Sequence, residues 1–247
     1  MTTPDVPYQR NVIDPIACIK GGWELVKPNY LLFVGMAFIG YFIGAAVPMG
    51  ILMGPMMCGL FVSYFAVRRG EPIEFGTLFK GFDFFGPSLV ATLLHMIPVA
   101  AIIIPTYVVF YASMFAAMIA QSQTQSPLPT FGLFGVFGLV LLVVFAVVIL
   151  ISVGFVFAYP LVVDRRLNGL DAVKLSFKAA LANFWRLLLM MLLSSVMGMA
   201  GMLAGCVGIF FVFPITYAAI AVAYEQVFGL AHASEASNMP PPPPVFR

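Results

Sequence analysis

The feature of this sequence that most constrains its fold is the length of its apolar segments. Residues 86–120 contain no Asp, Glu, Lys or Arg, and residues 131–159 contain none either. As one helix the first segment would be about 50 Å long, well beyond the roughly 30 Å hydrocarbon core of a bilayer. With 62% hydrophobic and 9% charged residues, the chain lies outside the composition range of soluble domains. We therefore predict an all-α integral membrane protein.

Six transmembrane helices, paired as three helical hairpins, are predicted from the apolar segments. Pro105 is expected to break or kink the third span. Residues 106–120 then either continue beyond the membrane or lie along its far surface. An uncharged polar loop, residues 121–130, separates the third span from the fourth. The predicted spans are residues 30–47, 51–67, 86–104, 131–159, 183–204 and 208–225.

A short amphipathic helix is predicted in front of the first hairpin. Asp14 can cap the helix, and Pro15 suits the first helical position because no hydrogen bond is lost there. We expect the helix to end near Lys27 and to lie in the plane of the lipid headgroups, with Trp23 as its anchor. Its apolar face consists of Ile16, Ile19, Trp23 and Val26.

Similar segments precede the other two hairpins. Residues 168–182 form the clearer one, and a weaker one begins where Glu71-Pro72 resembles Asp14-Pro15 as a helix start. Their predicted apolar faces are Leu170, Val173, Phe177 and Leu181 in the first case, and Phe75, Leu78, Phe79 and Phe82 in the second. Each hairpin is thus expected to enter the membrane behind its own interfacial helix on the cytosolic side.

The chain also shows the pattern of a parallel internal repeat. Aligning Asp14 with Asn168 matches chemically similar residues along both amphipathic segments; chance similarity between two such segments is the alternative. The repeat units are residues 14–70 and 168–229, with a weaker middle unit at 71–160. Further matched pairs are Lys20 with Lys174, Trp23 with Phe177, and Asn29 with Asn183.

The charge distribution predicts the orientation. With six spans, all 12 Lys and Arg residues fall on one side, and the opposite turns carry no charge. The positive-inside rule then places both termini in the cytoplasm. Residues 14–230 form the predicted membrane domain, flanked by a disordered lead at 1–13 and a disordered Pro-rich tail at 231–247. The prolines at 240–244 either stay solvated or dock weakly into an aromatic groove of a partner.

Several short motifs resemble a known group of proteins. The segments GPMMCGL at 54–60, RGEP at 69–72, FGTLFKGF at 75–82 and YPLVVD at 159–164 resemble patterns of bacterial multi-pass membrane proteins. These are the DUF975, YciC-like and BPSS1780-like families, related to the membrane domain attached to some glycerophosphodiester phosphodiesterases. The resemblance covers about residues 14–230 and implies a bacterial inner-membrane protein. It supplies no catalytic residues, because the phosphodiesterase chemistry belongs to a separate soluble domain.

No constellation of residues in the sequence predicts catalysis. The chain has no G-x-S-x-G, no phosphate-binding Gly-Lys-Ser/Thr loop and no H-E-x-x-H, and it contains only 2 His. We therefore predict a non-enzyme with no catalytic, cofactor-binding or metal-binding residues. Nucleic acid is not expected as a partner.

Two kinds of residue remain as candidates for function. His95 lies near the middle of the third span, where it either serves a proton or solute path or is satisfied by one hydrogen bond to a Ser, Thr or Tyr. The others are expected at the cytosolic interface, where ion pairs are the ordinary explanation. They are Lys20, Trp23, Arg68, Arg69, Asp164, Arg165, Arg166, Lys174 and Glu225.

Three functions compete. The first is a non-enzymatic scaffold or accessory subunit that packs against lipids, other membrane proteins or further copies of itself. The alternative is a small-solute or lipid transporter or channel with a path near His95. An enzyme acting on lipids is the third, and it requires polar groups that converge at the boundary near Asp164, Arg165 and Glu225.

Overall fold

The computed structural model describes residues 6–46, 50–124, 128–203 and 208–231. Within these ranges the chain is helical and contains no strand, which confirms the all-α prediction. A 3₁₀ turn at Lys27–Asn29 joins the first two helices, and a longer 3₁₀ segment, Phe75–Phe84, precedes the fourth. The helices are α1 Pro15–Val26, α2 Tyr30–Ala46, α3 Met53–Arg68, α4 Phe85–Thr124, α5 Leu128–Phe155, α6 Ala158–Asp164, α7 Gly169–Ala182, α8 Phe184–Leu203 and α9 Gly208–Phe228.

Several of these helices are able to span a membrane. By length and composition, 5 stretches of the described chain qualify, so the prediction of a membrane protein is confirmed at this level. Helix α3 has 16 residues and is shorter than these stretches. The qualifying stretches are Pro15–Ala46, Phe75–Ile119, Phe134–Asp164, Phe184–Leu203 and Gly208–Phe228.

Helix α4 corrects the expectation of a break at Pro105. It runs for 40 residues through both Pro98 and Pro105, so residues 106–120 continue the helix. Proline is tolerated inside apolar helices when neighbouring groups satisfy the carbonyls that it frees. Directly after Pro105, the Thr106 hydroxyl donates a hydrogen bond of 2.7 Å to the Ile102 carbonyl oxygen, next to the Ala101 carbonyl that Pro105 leaves free.

The chain divides into two compact units. The first, here called the main unit, comprises the described parts of residues 1–92 and 154–247. The second, the hairpin unit, comprises residues 93–153 of α4 and α5. Inside the hairpin unit, the stacked rings of Phe110 and Phe137 join the two helices with centroids 3.8 Å apart.

The main unit is built around α3, α6 and α9. Tyr64 of α3, Tyr224 of α9 and Phe157, the N-cap residue of α6, are fully buried. The Phe157 ring lies 6.3 Å from Tyr224 and 5.7 Å from Phe228. The Tyr64 hydroxyl donates to the Pro214 carbonyl oxygen at 3.0 Å, within the proline-containing part of α9. This aromatic core brings the C-terminal ends of the three helices together.

The amphipathic helices form as predicted but present small residues to the protein. Asp14 caps α1 by accepting from the backbone N–H groups of Ile16 and Ala17 at 3.0 and 3.1 Å. Trp23 is 41% exposed on the outer side of α1. Val26, expected on that outer face, is buried instead, because it packs with the small residues of the inner face. That inner face is formed by Cys18, Gly22, Leu25 and Val26.

Helix α7 follows the same arrangement. Asn168 caps it by accepting from the Asp171 backbone N–H at 2.9 Å. Leu170 and Leu181 are exposed as expected, whereas Val173 is buried. Apart from Leu175, the remaining buried positions are small: Gly169, Ala172, Ser176, Ala179 and Ala180. Small residues let helix backbones approach closely, which is the main source of helix packing where lipid removes the hydrophobic driving force.

The middle amphipathic segment differs from its prediction. It is a 3₁₀ helix that begins at the N-cap Glu74 rather than at Glu71-Pro72. The backbone N–H of Glu74 donates to the Thr77 hydroxyl at 3.2 Å, as one half of a capping box. Because a 3₁₀ helix has three residues per turn, Leu78 and Gly81 share the buried face, while Phe79 and Phe82 are exposed.

Residues 6–13 do not behave as the disordered lead that the sequence predicts. Ile13 is fully buried, and the Gln9 backbone N–H donates to the Val227 carbonyl oxygen at 2.8 Å. The buried Asn183 side chain accepts from the Val12 N–H and donates to the Gln9 carbonyl at 3.1 Å. The segment is therefore fixed against α8 and α9. Residues 1–5, the prolines at 240–244 and the rest of the tail from 232 lie outside the described residues.

The closest helix contact in the main unit yields a stability prediction. A β-carbon on Gly59 of α3 would overlap the Leu78 carbonyl oxygen of the 3₁₀ segment. Gly59→Ala is expected to destabilise the protein by about 3 kcal/mol or more, because backbone cannot move aside cheaply. Gly198→Ala in α8 is the control, since nothing lies within 4 Å of its added β-carbon. Its stability should change by no more than about 1 kcal/mol. Unfolding in detergent measures both, and equal stability of the two variants contradicts this packing.

Candidate functional site

The candidate site lies where α3, α6 and α9 end. Each of these helices is followed by a residue with a left-handed backbone: Gly70 at φ 72°, Arg166 at φ 50° and Gly229 at φ 64°. A left-handed residue after the last turn is a common way to end a helix, and glycine is preferred because it has no β-carbon. We call this region the arginine end, defined by residues 68–71, 164–166 and 224–229.

An ion pair joins α3 to α9 at the arginine end. Arg68 Nε donates to both carboxylate oxygens of Glu225 at 2.8 and 2.9 Å, and Nη2 donates to Oε2 as well. The side chains are 41% and 14% exposed, respectively. A pair this open to solvent contributes about 1 kcal/mol or less to stability, so its main effect is to fix the geometry of the two helix ends.

A second cluster joins α6 to α9. The Asp164 side chain is 4% exposed, and its Oδ2 accepts from the Tyr224 hydroxyl at 2.7 Å. The Ala231 backbone N–H donates to both of its oxygens, at 3.3 and 3.2 Å. Arg165 Nε lies 3.1 Å from Oδ2, although its N–H is not directed at that oxygen. A buried carboxylate needs such partners because desolvation of the charge is costly.

Arg165 also caps the C-terminus of α9. Its Nη2 donates to the carbonyl oxygens of Phe228 and Gly229, both at 3.1 Å. These carbonyls have no partner within their own helix, and a cation near them also interacts favourably with the helix dipole. Asp164, Arg165 and Tyr224 therefore tie the two helix ends into one structure.

A cleft with mixed charges lies next to these clusters. It has a volume of about 270 Å³ and opens between the end of α3, the 3₁₀ segment and the end of α6. Arg69 in its wall pairs with Glu71, with Nε to Oε1 at 2.6 Å and Nη2 to Oε2 at 3.1 Å. The other charged lining residues are Lys80, Asp83, Asp164 and Arg166, beside the apolar Val62, Phe65, Phe84 and Val163. We call this the charged cleft.

The structure brings together some of the predicted site residues and not others. Arg68 with Glu225, and Asp164 with Arg165, form the two clusters, and Arg69 and Arg166 line the charged cleft. Lys20 and Lys174 are exposed on α1 and α7, and the Trp23 ring packs edge-on against Tyr30 at 5.3 Å. Sequence reasoning missed Tyr224, Lys80 and Asp83. Tyr224 stands in an apolar segment that gives no sign of a carboxylate partner.

His95 has an ordinary structural partner. In the hairpin unit its Nε2 lies 3.3 Å from the hydroxyl of Ser152, so a hydrogen bond joins α4 to α5. This is the single interhelical bond that the structural interpretation of His95 requires. Among the described residues, no group of three or more His, Cys, Asp or Glu is arranged to hold a metal ion.

Comparisons with protein-family models, with curated proteins and with solved structures found no match to this chain. What the arrangement can do chemically therefore has to be judged from its own groups. It fixes three helix ends and leaves a charged cleft beside them.

Removal of the Tyr224 hydroxyl tests the buried cluster. Tyr224→Phe is expected to lower the free energy of unfolding by about 1–3 kcal/mol, because the Asp164 carboxylate loses a buried donor. Tyr107→Phe is the matched control, since the structure gives that hydroxyl no hydrogen bond within the described residues and the side chain is 54% exposed. Denaturant titration in detergent gives both values, and a loss that is the same in both variants contradicts the assignment.

Proposed function

We propose that this protein is a non-enzymatic scaffold or accessory subunit of the bacterial inner membrane, with six spans and both termini in the cytoplasm. The observation that carries the proposal is the hairpin unit, whose apolar surface is longer than a bilayer is thick. The likeness of its motifs to the DUF975, YciC-like and BPSS1780-like families remains a prediction that agrees with this location.

Six spans follow if α3 is counted with the longer helices. Its 16 residues rise about 24 Å, less than a bilayer core. However, nearly the whole helix is buried by its neighbours, so it needs little contact with lipid. In this proposal α1 lies at the interface and α2 spans. The confinement of Lys and Arg to one side of a six-span arrangement supports it.

The packing of the amphipathic segments supports the repeat. When α1 is aligned with α7 as the sequence suggests, the buried positions coincide: Cys18 with Ala172, Gly22 with Ser176, Leu25 with Ala179, and Val26 with Ala180. Exposed positions also coincide, as for Lys20 with Lys174. All four buried positions of α1 thus align with buried positions of α7, and this agreement favours true repetition over chance similarity.

Each amphipathic segment also packs on the returning helix of the preceding hairpin. A β-carbon on Gly22 of α1 would lie 2.7 Å from the Ala219 nitrogen of α9. The 3₁₀ segment meets α3 at Gly59 in the same close manner. Ser176 of α7 donates to the carbonyl oxygen of Gly154 at 2.6 Å, near the end of the returning helix α5. This cyclic order supports three equivalent units, the middle one included.

The hairpin unit argues for a protein partner. Helix α4 has 40 residues and is about 60 Å long. Its apolar part, residues 85–120, is about 54 Å long and rises about 41 Å even at a tilt of 40°, through a core of roughly 30 Å. Apolar side chains remain exposed along the part farthest from its start, namely Tyr107, Val108, Tyr111, Met114, Phe115, Met118 and Ile119. Contiguous apolar surface that lipid does not cover is typical of a protein–protein interface.

A transport path near His95 is the alternative, and the hydrogen bond described for this side chain does not favour it. The side chain is engaged with Ser152, and the described part of the hairpin unit carries no Asp, Glu, Lys or Arg.

Photo-crosslinking in native membranes tests the scaffold proposal. A crosslinking residue at Phe115 is compared with one at Leu192 of α8, since both side chains are 61% exposed. We expect Phe115 to yield a discrete protein adduct, either a second copy or one other membrane protein, and Leu192 to label lipid. Lipid labelling alone at both positions would remove the support for a scaffold.

Substitution of His95 tests the alternative. His95→Ala should lower the free energy of unfolding by about 1 kcal/mol, the typical contribution of one interhelical hydrogen bond in a membrane. Proton leak in proteoliposomes, followed with a pH-sensitive dye, should equal that of wild type and of protein-free liposomes. A leak in wild type that His95→Ala abolishes would instead establish the transport path.

A further inference from the structure

We propose that the charged cleft binds the headgroup of a phospholipid of the phosphoethanolamine type. Lys80 and Arg166 hold the phosphate, and Asp83 accepts the ammonium group. The inference rests on the proposed topology, which places the cleft at the level of the cytosolic headgroups.

The charges of the cleft are not all used within the protein. Arg69 is paired with Glu71, and Asp164 is held by Tyr224 and Arg165. Within the described residues, the structure shows no ion pair or hydrogen bond for the side chains of Lys80, Asp83 and Arg166. Two cations and one carboxylate therefore face the cleft unpaired. This set suits a ligand that carries a phosphate and an ammonium group close together.

The backbone at Arg166 singles out this side chain. The equivalent residues after α3 and α9 are Gly70 and Gly229, for which a left-handed conformation carries no steric cost. An arginine at φ 50° costs roughly 1–2 kcal/mol, which the helix end alone does not require. Residues held in such conformations concentrate at binding sites. Arginine also provides the planar set of donors that matches a phosphate.

The walls of the cleft suit a lipid better than a free anion. A second lobe of about 390 Å³ shares Asp83, Phe84 and Arg166 and reaches Pro87 and Val162. This volume falls within the range of small-molecule sites, roughly 300–1,000 Å³. Phe82 and Phe85, which neighbour these residues in the chain, are both exposed and provide apolar surface. Acyl chains can follow that surface while the headgroup occupies the polar end.

Headgroup chemistry distinguishes the candidate lipids. A primary ammonium donates three hydrogen bonds and suits Asp83, whereas the quaternary ammonium of phosphatidylcholine donates none. Phosphatidylglycerol offers the phosphate but no cation for Asp83. The expected order of affinity is phosphatidylethanolamine, then phosphatidylglycerol, then phosphatidylcholine. Inorganic phosphate should compete weakly, since it lacks the ammonium and the acyl chains.

Native mass spectrometry of the delipidated full chain, titrated with these three lipids, tests the proposal. Arg166→Gly should weaken phosphatidylethanolamine binding about tenfold, as expected for loss of one charge-assisted contact. Its thermal stability should be unchanged or higher, because glycine suits the backbone at this position. Lys80→Gln should act in the same direction, and Asp83→Asn should remove the preference over phosphatidylglycerol. Lys174→Gln, an exposed cation on α7, is the control and should bind like wild type.

Wild-type affinity in both Arg166→Gly and Lys80→Gln overturns the proposal, as does a preference for phosphatidylethanolamine over phosphatidylglycerol that Asp83→Asn leaves unchanged. Competition by inorganic phosphate as strong as that by lipid makes this a free-anion site and rejects the lipid. The Phe115 crosslink, measured in wild type and in Arg166→Gly, separates the headgroup proposal from the scaffold proposal. If wild-type protein binds no lipid but Phe115 still crosslinks to a protein, only the headgroup site fails.

Discussion

The buried carboxylate of Asp164 is the interaction on which the main unit most depends. It lies at the end of α6, and its partners come from α9 and from the residues that follow α9. Without Tyr224 and Arg165 the carboxylate would keep only the Ala231 N–H as a partner, so the cluster is complete only when both helix ends are in position. Arg68 and Glu225 then fix α3 against the same end of α9. The charged cleft lies between the ends of α3 and α6, both of which these contacts tie to α9.

The amphipathic segments solve a problem that is specific to membranes. A helix whose large apolar residues all faced the protein would present no apolar surface to the lipid. Here Ile16 and Trp23 point away from the protein, and Gly22 lies on the backbone of α9. Close backbone approach replaces hydrophobic burial as the source of packing energy. The same division recurs in α7, where Leu181 is exposed and Ser176 is buried with two hydrogen bonds.

Local chemistry was readable from the sequence, and long-range chemistry was not. Asp14 was predicted as an N-cap because a cap depends only on the next few residues, and the aligned Asn168 caps its helix as well. The sequence left open whether the helix continues after Pro105, because the cost of a proline depends on what surrounds it. The inner faces of α1 and α7 were missed because an apolar stripe indicates lipid as readily as protein. The hydrogen bond between Tyr224 and Asp164 joins residues 60 positions apart in the chain, and no local sequence pattern predicts it.

The contact of α1 with α9 has a consequence for the order of synthesis. Gly22 leaves the ribosome early, but Ala219, against which it packs, is translated near the end of the chain. At about 5–20 residues per second, roughly 10–40 s separate the two. In the proposed topology the first helix has its outer face in lipid during that interval, and the part of its inner face that packs on α9 is uncovered. A nascent chain that stops before α9 therefore lacks this contact and the bond from Gln9 to Val227, although Arg186 of α8 can already bind the Ile13 carbonyl.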